Sequence, residues 1–591
     1  MWRYHHGMLR WLSWGWALAV CAACSSGGTQ GDGGLEDGAA PDGALADGAT
    51  PGDGGTCAIG PAPTTADRVT AWNPGITTDG QLHRPLGDDG LPARTDVCAS
   101  LKPGDDIQAA LDQCAEGKVV SLAAGTYTVA STITLKKGVV LRGAGSAGAP
   151  TGTTIKKTGG GTVLAIGEGR DQTCYGGTAY ALASDGAKES TTVHVGANAS
   201  KFTAGQLALV DETDDPVVQQ GDCPYFKRTG GRSSSQRVEI VAVDAQAGTL
   251  TLGAPLHWGF RAAAPRSAQI TPVTGTVRWA GIEAVRLQGG SNPGYPGQMA
   301  GGIDVSNAAW SWVKDVQTDD TIGGMHVSLT GTYRVVVRDS YVHHSADYGF
   351  GRDCYGIVLR CGAAENLVEN NIARYMNKPI MMNATGGGNV IAYNYADNSW
   401  ATPPEWQEVN IDCHCSFPHM ELIEGNWAPH VGATNTHGNA GYLTFFRNHS
   451  SSAFAPPAVA GSNATQTGNV VCVQLSGGDV GMNVIGNVLG QDKLSTTYEV
   501  YSPSLGAIFE LGDNGAGMGD VAVTSLFRTG NYDYASHSTK WDPQTTNHAL
   551  PASLYTCKPR WWPASSPWPW VGPDLMPMVG TLPAKARAEK L

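Results

Sequence analysis

The stretch "VENNIARYMNKPIMMNATGGGNVIAYNYA", from Val368 to Ala396, decides the fold because it repeats a short pattern. The pieces "LVENNIA" and "VIAYNYA" carry an asparagine at the same place, with three glycines between the pieces. Similar units recur on both sides, with polar positions 24, 32, 23, 32, 22 and 39 residues apart: Asp315, Asp339, Asn371, Asn394, Asn426, Asn448 and Asn487. Steps of roughly 20–45 residues are typical of stacked repeats.

Each unit is strand-like, rich in Val, Ile, Tyr and Phe, and punctuated by Gly or Asn-Gly. A stack of such strands at this period predicts a parallel β-helix. An asparagine at the same corner of each coil can hydrogen-bond the coils above and below, and so satisfy buried turn amides. The uneven steps predict loops of different lengths between coils, and functional residues are expected on those loops.

The segment "DDIQAALDQCAEGKVVSLAAGTYTVASTITLKKGVVLRGAG", from Asp105 to Gly145, begins with an amphipathic helix and continues with strand-like pieces. It resembles the opening of pectate-lyase-like, right-handed parallel β-helix proteins, where a short helix caps the stack. This resemblance implies an all-β fold, a right-handed parallel β-helix with an N-terminal capping helix. Two antiparallel-looking segments between the cap and the repeats predict a small β insert.

The expected organisation has three parts. Residues 1–24 resemble a bacterial signal peptide with a lipobox, which predicts export and lipidation at Cys24; simple secretion is the alternative. Residues 25–60 form a Gly/Ala/Asp-rich flexible linker. Residues 61–591 form the β-helix domain, with the cap at about 98–115, the insert at about 170–280 and a wrapping tail at about 550–591. In that tail, four tryptophans are expected to pack against the stack, with sugar stacking as the alternative: Trp561, Trp562, Trp568 and Trp570.

The formal net charge is −13, and the linker contributes 6 of these negative charges without any Lys or Arg. The remainder is only mildly acidic, so no nucleic-acid partner is expected, and a membrane only through the lipid anchor. Three local disulfides are predicted in an exported chain: Cys98–Cys114, Cys174–Cys223 and Cys354–Cys361. The number of cysteines after the predicted signal peptide is odd, so at least one of them is expected to remain an unpaired thiol.

The resemblance implies a polysaccharide substrate lying along one parallel sheet. Two chemistries are then open. In β-elimination, a base removes the proton α to a uronate carboxylate while a cation neutralises that carboxylate. In hydrolysis, two carboxyl groups about 5–10 Å apart act as acid and as base or nucleophile.

One candidate region is "RDSYVHHSADYGFGRDCYG", from Arg338 to Gly356, together with Lys378. Arg352 or Lys378 would hold a uronate carboxylate. A base would come from His343, His344 or Tyr348, and Asp347 would help to bind the substrate. The alternative is a solvated loop between coils.

The other region is "PEWQEVNIDCHCSFPHMELIEGN", from Pro404 to Asn426, inside a span without Lys or Arg from Pro379 to Phe446. Crowded carboxylates raise one another's pKa, which prepares a general acid. His419, Glu421 and Glu424 are therefore predicted to be catalytic. Glu369, a partner for Glu424 from a neighbouring coil, and His437 are predicted to bind substrate. The alternative for the two glutamates is an exposed strand position.

No cofactor is required by these patterns, but Ca²⁺ on carboxylates is an option, with Glu405, Glu408 and Asp412 as candidate ligands. Zinc is a weaker option because the four soft ligands nearby lack a recognised spacing: Cys413, His414, Cys415 and His419. The prediction is an exported polysaccharide-cleaving enzyme. Resemblance favours a lyase, the carboxylate-rich region favours a hydrolase, and a non-catalytic glycan-binding adhesin is the alternative from another class.

Overall fold

The structure, a computed structural model, describes residues 59–76, 90–167, 177–219, 231–290, 300–349, 354–401, 406–453, 469–512 and 517–591. These residues belong to one unit that runs from Pro51 to Leu591. The signal peptide with Cys24, nearly all of the linker, Arg352, Glu405 and the Cys174–Cys223 pair lie outside the described residues.

The strands of successive coils form three faces, and strand accounts for 42% of the chain against 6% helix. This is the predicted all-β, right-handed parallel β-helix. The strands of face 1 are Val97–Leu101, Val119–Leu122, Val140–Arg142, the first halves of Gly281–Gln288 and Trp312–Thr318, Val336–Arg338, Leu367–Glu369, Val390–Ala392, Leu422–Glu424, Thr444–Phe446, Asn483–Ile485 and Phe527–Thr529.

The strands of face 2 follow in each coil after a tight corner. They are Gly125–Val129, Thr153–Lys157, the second halves of Gly281–Gln288 and Trp312–Thr318, Tyr341–His343, Ile372–Met376, Tyr395–Ala401, His449–Ser450, Val488–Leu489 and Asn531–Asp533. Two short antiparallel strands extend this face, Trp406–Gln407 and Ser538–Lys540.

Face 3 is an eleven-stranded parallel sheet. Its strands are Ile133–Leu135, Leu164–Ile166, Ala300–Ser306, Met325–Thr330, Tyr355–Arg360, Lys378–Asn383, Ile411–Cys415, Val431–His437, Val470–Leu475, Thr497–Val500 and Leu505–Leu511. A further parallel pair, Val277–Arg278 with Ala308–Ala309, lies between faces 3 and 1.

The core consists of rows of apolar residues that stack from coil to coil. On face 1, Val368 pairs with Ile391, Ile391 with Ile423, and Ile423 with Phe445, and all are buried in one cluster. Alternation along each strand places the flanking residues on the outer side. The repeated sequence unit is therefore one coil, with its central apolar residue turned inwards.

A buried asparagine ladder stabilises the corner between faces 1 and 2. The Asn371 backbone N–H and its Nδ2 both donate to Oδ1 of Asn394, each at 3.0 Å, and Nδ2 also donates to the Val337 carbonyl at 3.0 Å. The same bonds recur from coil to coil through Asn394, Asn426, Asn448, Asn487 and Asn531. The predicted ladder is present, and it reaches one coil further than the sequence pattern suggested.

The two aspartates predicted to begin the ladder are displaced from it by one residue. Asp315 and Asp339 have φ of 52° and 58°, the left-handed conformation that Asn370 adopts just before the ladder residue Asn371. The ladder position itself is Ser340, whose N–H donates to Asn371 Oδ1 at 3.0 Å. Aspartate tolerates left-handed backbone, which explains its place at this corner.

The N-terminal cap is the helix Ile107–Gln113, whose first turn is capped by Asp106 through a 3.0 Å bond from the Ala109 N–H. Ile107 and Leu111 enter the core. The predicted Cys98–Cys114 disulfide closes the cap. The pairing Cys354–Cys361 is wrong, because Cys361 is disulfide-bonded whereas Cys354 carries a thiol.

The other helices are short: Val521–Thr524 and Pro583–Ala588, with 3₁₀ turns at Ala66–Arg68, Gly196–Lys201 and Gly517–Gly519. Within the described ranges no helix combines the length and apolar character needed to cross a membrane.

The insert is a six-stranded antiparallel sheet with its own apolar cluster. Its strands are Tyr180–Ala181, Thr192–His194, Gln206–Asp211, Ser235–Asp244, Thr249–Leu252 and Gln269–Val273. The insert contacts the stack at the turns before face 1, where buried His257 Nε2 lies 2.7 Å from Glu365 Oε1.

The C-terminal tail covers the outer side of face 1. Trp562, Trp570 and Val571 are buried against Leu422 and Phe446. Trp570 Nε1 donates to the Gly425 carbonyl at 2.7 Å, and Trp568 Nε1 donates to the Tyr393 hydroxyl at 3.3 Å. The tail therefore removes this part of face 1 from the surfaces that a polymer can reach.

Asn394→Ala tests the ladder. It would leave the Asn371 N–H, the Val368 carbonyl and part of Asn426 buried without partners. At ~1–3 kcal/mol for each unsatisfied group, we expect the free energy of unfolding to fall by at least ~3 kcal/mol. Denaturant unfolding measures the change, with Asn73→Ala at an exposed site as the matched control. An equal loss in both variants would contradict a stabilising ladder.

Candidate active site

Glu421 continues a second buried ladder, at the turn that precedes face 1. Asn366 N–H donates to Asn389 Oδ1 at 2.9 Å, and the Asn389 N–H and Nδ2 donate to Glu421 at 3.0 and 3.1 Å. The Glu421 side chain is fully buried, and this burial raises its pKa to about 8. Glu421 therefore replaces an asparagine of the ladder, and its carboxyl has no open path to a substrate.

Glu424 and Glu369 lie on the outer side of face 1 under the tail. Glu424 accepts from the Tyr393 hydroxyl and from the Leu554 N–H, both at 2.9 Å, and burial raises its pKa to about 7. Glu369 lies 3.4 Å from Arg338. The two glutamates share a row, but Ala392 lies between them, so they are two coils apart rather than on adjacent coils.

His419 is buried beneath the insert. Its ring lies 5.4 Å from the Trp258 ring, its Nδ1 contacts the Phe417 carbonyl at 3.0 Å, and burial lowers its pKa to about 4. The insert therefore covers His419, the second ladder holds Glu421, and the tail covers Glu424. The structure does not bring these three residues together in one accessible site.

The stretch around His343 forms a chain of neutral groups at the edge of face 2. Gln317 Nε2 donates to His343 Nε2 at 3.0 Å, and His343 Nδ1 lies 2.8 Å from His344 Nδ1. Burial and the neighbouring His344 lower the pKa of His343 to about 3. Asp347 caps its own turn by accepting from Gly349 N–H at 2.8 Å. Tyr348 is almost buried, and its carbonyl accepts from Asn377 at 3.4 Å.

On the outer side of face 3, Lys378 lies between two carboxylates. Its ammonium is 2.8 Å from Glu408 Oε2 and 2.8 Å from Asp412 Oδ2, and all three side chains are buried. Burial would lower the pKa of Lys378, but the two carboxylates outweigh it and raise that pKa. Burial would likewise raise the pKa of Asp412, but the Lys378 charge and the His414 hydrogen bond lower it to about 2.

Asp412 and Thr434 fix the tautomer of His414. The Thr434 hydroxyl donates to Asp412 Oδ2 at 2.8 Å, so its oxygen accepts from His414 Nδ1 at 2.5 Å. Asp412 Oδ2 is the second acceptor, 3.2 Å from the same nitrogen. The proton therefore resides on Nδ1 and the lone pair on Nε2. Burial lowers the pKa of His414, so the ring is neutral near pH 7.

His414 lines a cleft of about 420 Å³, which we call the Lys378 cleft after its six principal residues: Lys378, Trp406, Glu408, His414, His437 and Gln474. Within the described part of the chain, His414 Nε2 has no hydrogen-bond partner, and the His437 ring meets the His414 ring edge-on at 4.9 Å. Asn377, the contact of Tyr348, also lines the cleft. A neutral base, an ammonium and an aromatic wall thus share one cavity.

Of the candidate calcium ligands, Glu405 lies outside the described residues, and Glu408 and Asp412 form no metal site with other described side chains. No group of three or more His, Cys, Asp or Glu side chains suited to a metal occurs among the described residues. The Lys378 ammonium already occupies the place between Glu408 and Asp412 that a cation would take. Among the zinc candidates, Cys415 is disulfide-bonded and the Cys413 thiol faces the core.

The cleft contains Lys378, His437 and Glu408 from the sequence prediction, with Asp412 directly behind them. Sequence reasoning considered His414 only as a metal ligand, and it did not find Trp406, Thr434 or Gln474. A signal was present in "IDCHC": because Cys413 points inwards, Asp412 and His414 must both point outwards. The sequence does not show which face-3 residues lie beside Lys378, because the loops between the coils differ in length.

No protein-family model matches this sequence, and no curated protein matches it. Among solved structures, the tailspike protein gp49 from Pseudomonas phage LKA1 is 16% identical over 69% of this chain and 69% of that chain, with a TM-score of 0.39. PfbA, a surface adhesin of Streptococcus pneumoniae, is 12% identical over 72% and 80%, with a TM-score of 0.35. An alginate lyase from Paenibacillus sp. str. FPU-7 is 11% identical over 73% and 99%, with a TM-score of 0.27. At these values the likenesses say nothing about what this chain binds or cleaves.

The buried carboxyl of Glu421 predicts a pH-dependent stability. Its folded pKa of about 8 lies above the ordinary value of 4.5, so the folded state binds the proton more tightly. The stability is fully present below pH 4.5 and is lost as the pH rises through about 8. Between these values the free energy of unfolding should fall by up to ~1.4 kcal/mol per pH unit from this group.

Unfolding measured from pH 5 to pH 9 checks this slope. Glu421→Gln keeps the shape of the side chain but removes its titration and one of its two accepting oxygens, and it should flatten the profile. Glu116→Gln, at an exposed position, is the control and should leave the profile unchanged. A Glu421→Gln profile as steep as that of the parent protein would show that Glu421 titrates normally.

Proposed function

We propose that this protein cleaves a uronic-acid-containing polysaccharide by β-elimination in the Lys378 cleft, with His414 as the general base. The observation that carries the proposal is the fixed tautomer of His414, whose Nε2 lone pair is available in the cleft. A neutral imidazole is competent to remove a proton without prior deprotonation, which suits proton abstraction next to a carboxylate.

In this reaction the proton α to the uronate carboxylate moves to His414 Nε2, a carbon–carbon double bond forms, and the bond to the leaving glycosidic oxygen breaks. The departing oxygen takes a proton from solvent water, and His414 returns its proton to solvent, so the ring is again neutral for the next turnover. Negative charge develops on the carboxylate in the transition state. Neutral N–H donors stabilise such charge when they are held in place. Gln474 lines the cleft, and its Nε2 is held by Glu510 at 3.2 Å with a second hydrogen on the same nitrogen.

Lys378 has a positioning role in this proposal. Because Glu408 and Asp412 already balance its charge, the ammonium is not an unpaired partner for a uronate. It keeps Asp412 ionised, and ionised Asp412 accepts from Nδ1–H and so keeps the lone pair on Nε2. The same ionisation weighs against hydrolysis, because a carboxyl with a pKa of about 2 cannot act as general acid near neutrality.

Export, with Cys24 as a lipid anchor, belongs to the same proposal. It is supported by the N-terminal sequence, in which basic residues precede an apolar run and a cysteine. An external location would bring the cleft to a polymeric substrate.

The test of activity is His414→Ala against a panel of uronic-acid and neutral polysaccharides, with and without EDTA. Ultraviolet absorbance of the unsaturated product and new reducing ends are recorded together. We expect both signals from the parent protein on a uronic-acid polymer, and a loss of about 10²–10⁴-fold in rate for His414→Ala. His194→Ala, exposed on the insert, is the matched control and should keep full activity.

The outcomes separate the three candidate functions. New reducing ends without absorbance would mean hydrolysis and would overturn elimination. If neither the absorbance nor the number of reducing ends rose with any polysaccharide of the panel, a glycan-binding protein would be favoured. Unchanged activity in His414→Ala would show that His414 is not the base.

The pH dependence of kcat/KM gives an independent test of the base. A base must be unprotonated, and the pKa of His414 is lowered from 6.5 by burial and by the Lys378 charge. The activity should therefore persist as the pH falls through 6.5 and decline only below it. An acidic limb at or above pH 6.5 in the parent protein would contradict the assignment.

A further inference from the structure

A second polar cavity lies on the outer side of face 2, and its lining residues differ from those of the Lys378 cleft. It has a volume of about 460 Å³, and we call it the face-2 pocket after six of its residues: Tyr395, Asp397, His449, Asp492, Tyr534 and Lys585. Tyr395 pairs with Trp427, and Trp427 with His449, so the three occupy one row in successive coils. Coils stack ~4.8 Å apart, and the pocket therefore extends for roughly 10 Å along the stack.

The inner end of the pocket presents a neutral acceptor. His449 Nδ1 lies 3.1 Å from the Val488 carbonyl, which can only accept, so the proton is on Nδ1. The lone pair is then on Nε2, and in the described part of the chain this nitrogen has no hydrogen-bond partner. Burial lowers the pKa of His449 to about 4, which keeps the ring neutral.

Two carboxyl groups and one ammonium complete the polar lining. Asp397 accepts from the Tyr395 hydroxyl at 2.6 Å and from the Asn398 N–H at 2.7 Å. Asp492 is exposed at the rim beside Gln491. The Lys585 ammonium is paired with Glu589 and lies 4.6 Å from the centre of the Trp427 ring. No unpaired Lys or Arg lines the pocket among the residues that the structure describes.

This lining disfavours an anionic ligand and favours a hydroxyl-rich neutral one. An incoming carboxylate or sulfate would meet the exposed carboxylate of Asp492, which lies 3.9 Å from His537 Nδ1 and has no Lys or Arg partner among the described residues, whereas both acids of the Lys378 cleft contact the Lys378 ammonium. A sugar hydroxyl both donates and accepts, which matches the Asp492 and His449 acceptors and the Gln491 amide donor. The Tyr534 ring gives an apolar wall against which sugar C–H groups pack.

We infer that the face-2 pocket is a second saccharide-binding site, selective for neutral sugars. It does not depend on cleavage in the Lys378 cleft, which faces a different side of the coil and is proposed to take an acidic polymer. The two sites would let one molecule hold a neutral polysaccharide while it acts on an acidic one.

The experiment uses the full chain carrying His414→Ala, so that catalysis cannot change the polymer during the measurement. Retardation in native gels that contain dextran, xylan, galactomannan or soluble starch gives the dissociation constant for each polymer. We expect binding to at least one of them, weakened about tenfold by the double variant Gln491→Ala/Asp492→Ala. Both positions are exposed, so the fold should be unaffected.

The matched control is Gln113→Ala/Asp96→Ala, a pair of exposed positions near the cap. It should bind as the His414→Ala parent does. Equal binding by the pocket variant and the parent would overturn the proposal, and so would an absence of retardation by every neutral polymer. Binding restricted to acidic polymers would also overturn it. The absorbance assay on the unmodified chain reports on the Lys378 cleft alone, so each proposal can fail without the other.

Discussion

The structure depends on how the chain satisfies backbone amides at a buried corner. At each corner between faces 1 and 2, one residue adopts a left-handed conformation, and the next residue turns its N–H along the stack. No strand bond is available there, so the asparagine of the neighbouring coil supplies the acceptor and uses its own NH₂ to bind a carbonyl. Because an unsatisfied buried amide costs ~1–3 kcal/mol, the ladder fixes the register of every coil that it includes.

Fixed register has consequences for every other side chain. Close to the ladder, on faces 1 and 2, a residue at a given distance from the ladder position falls on the same face and the same side in each coil, so similar residues stack in rows, as Val368, Ile391 and Ile423 do in the core. On the outer side of face 1, the row that contains Glu369 and Glu424 meets the tail and becomes buried. On faces 2 and 3, outward rows remain open in places, and both cavities that we assign lie there.

The sequence pattern therefore predicted the coil and its core but not which outward rows are open. The apolar residue three places before each ladder asparagine is decided by local alternation, which is visible in the sequence. The fate of Glu424 is decided by a tail that begins more than a hundred residues later, as its bond to Leu554 shows. His419 is covered in the same way by an insert that lies far earlier in the chain. Neither cover leaves a signal near the residue that it buries.

Burial raises the pKa of a carboxyl that has no cation beside it, whereas a buried carboxyl beside a cation stays ionised. This contrast separates the carboxyl groups with a structural role from the one in the proposed active site. Glu421 and Glu424 form no ion pair with a Lys or Arg among the described residues, so burial raises their pKa, and the Glu421 carboxyl is largely neutral near pH 7. Asp412 is equally buried, but Lys378 keeps it charged.

Asp412 and Lys378 have opposite effects on the protonation of His414. Asp412 favours a protonated ring, while Lys378 and burial disfavour it, and the balance leaves a neutral ring whose proton is held on Nδ1. Without Lys378, Asp412 would lose the partner that keeps it ionised, and the ring would lose the positive neighbour that opposes its protonation. A buried lysine that touches no substrate can therefore set the protonation of a base on the other side of a shared carboxylate.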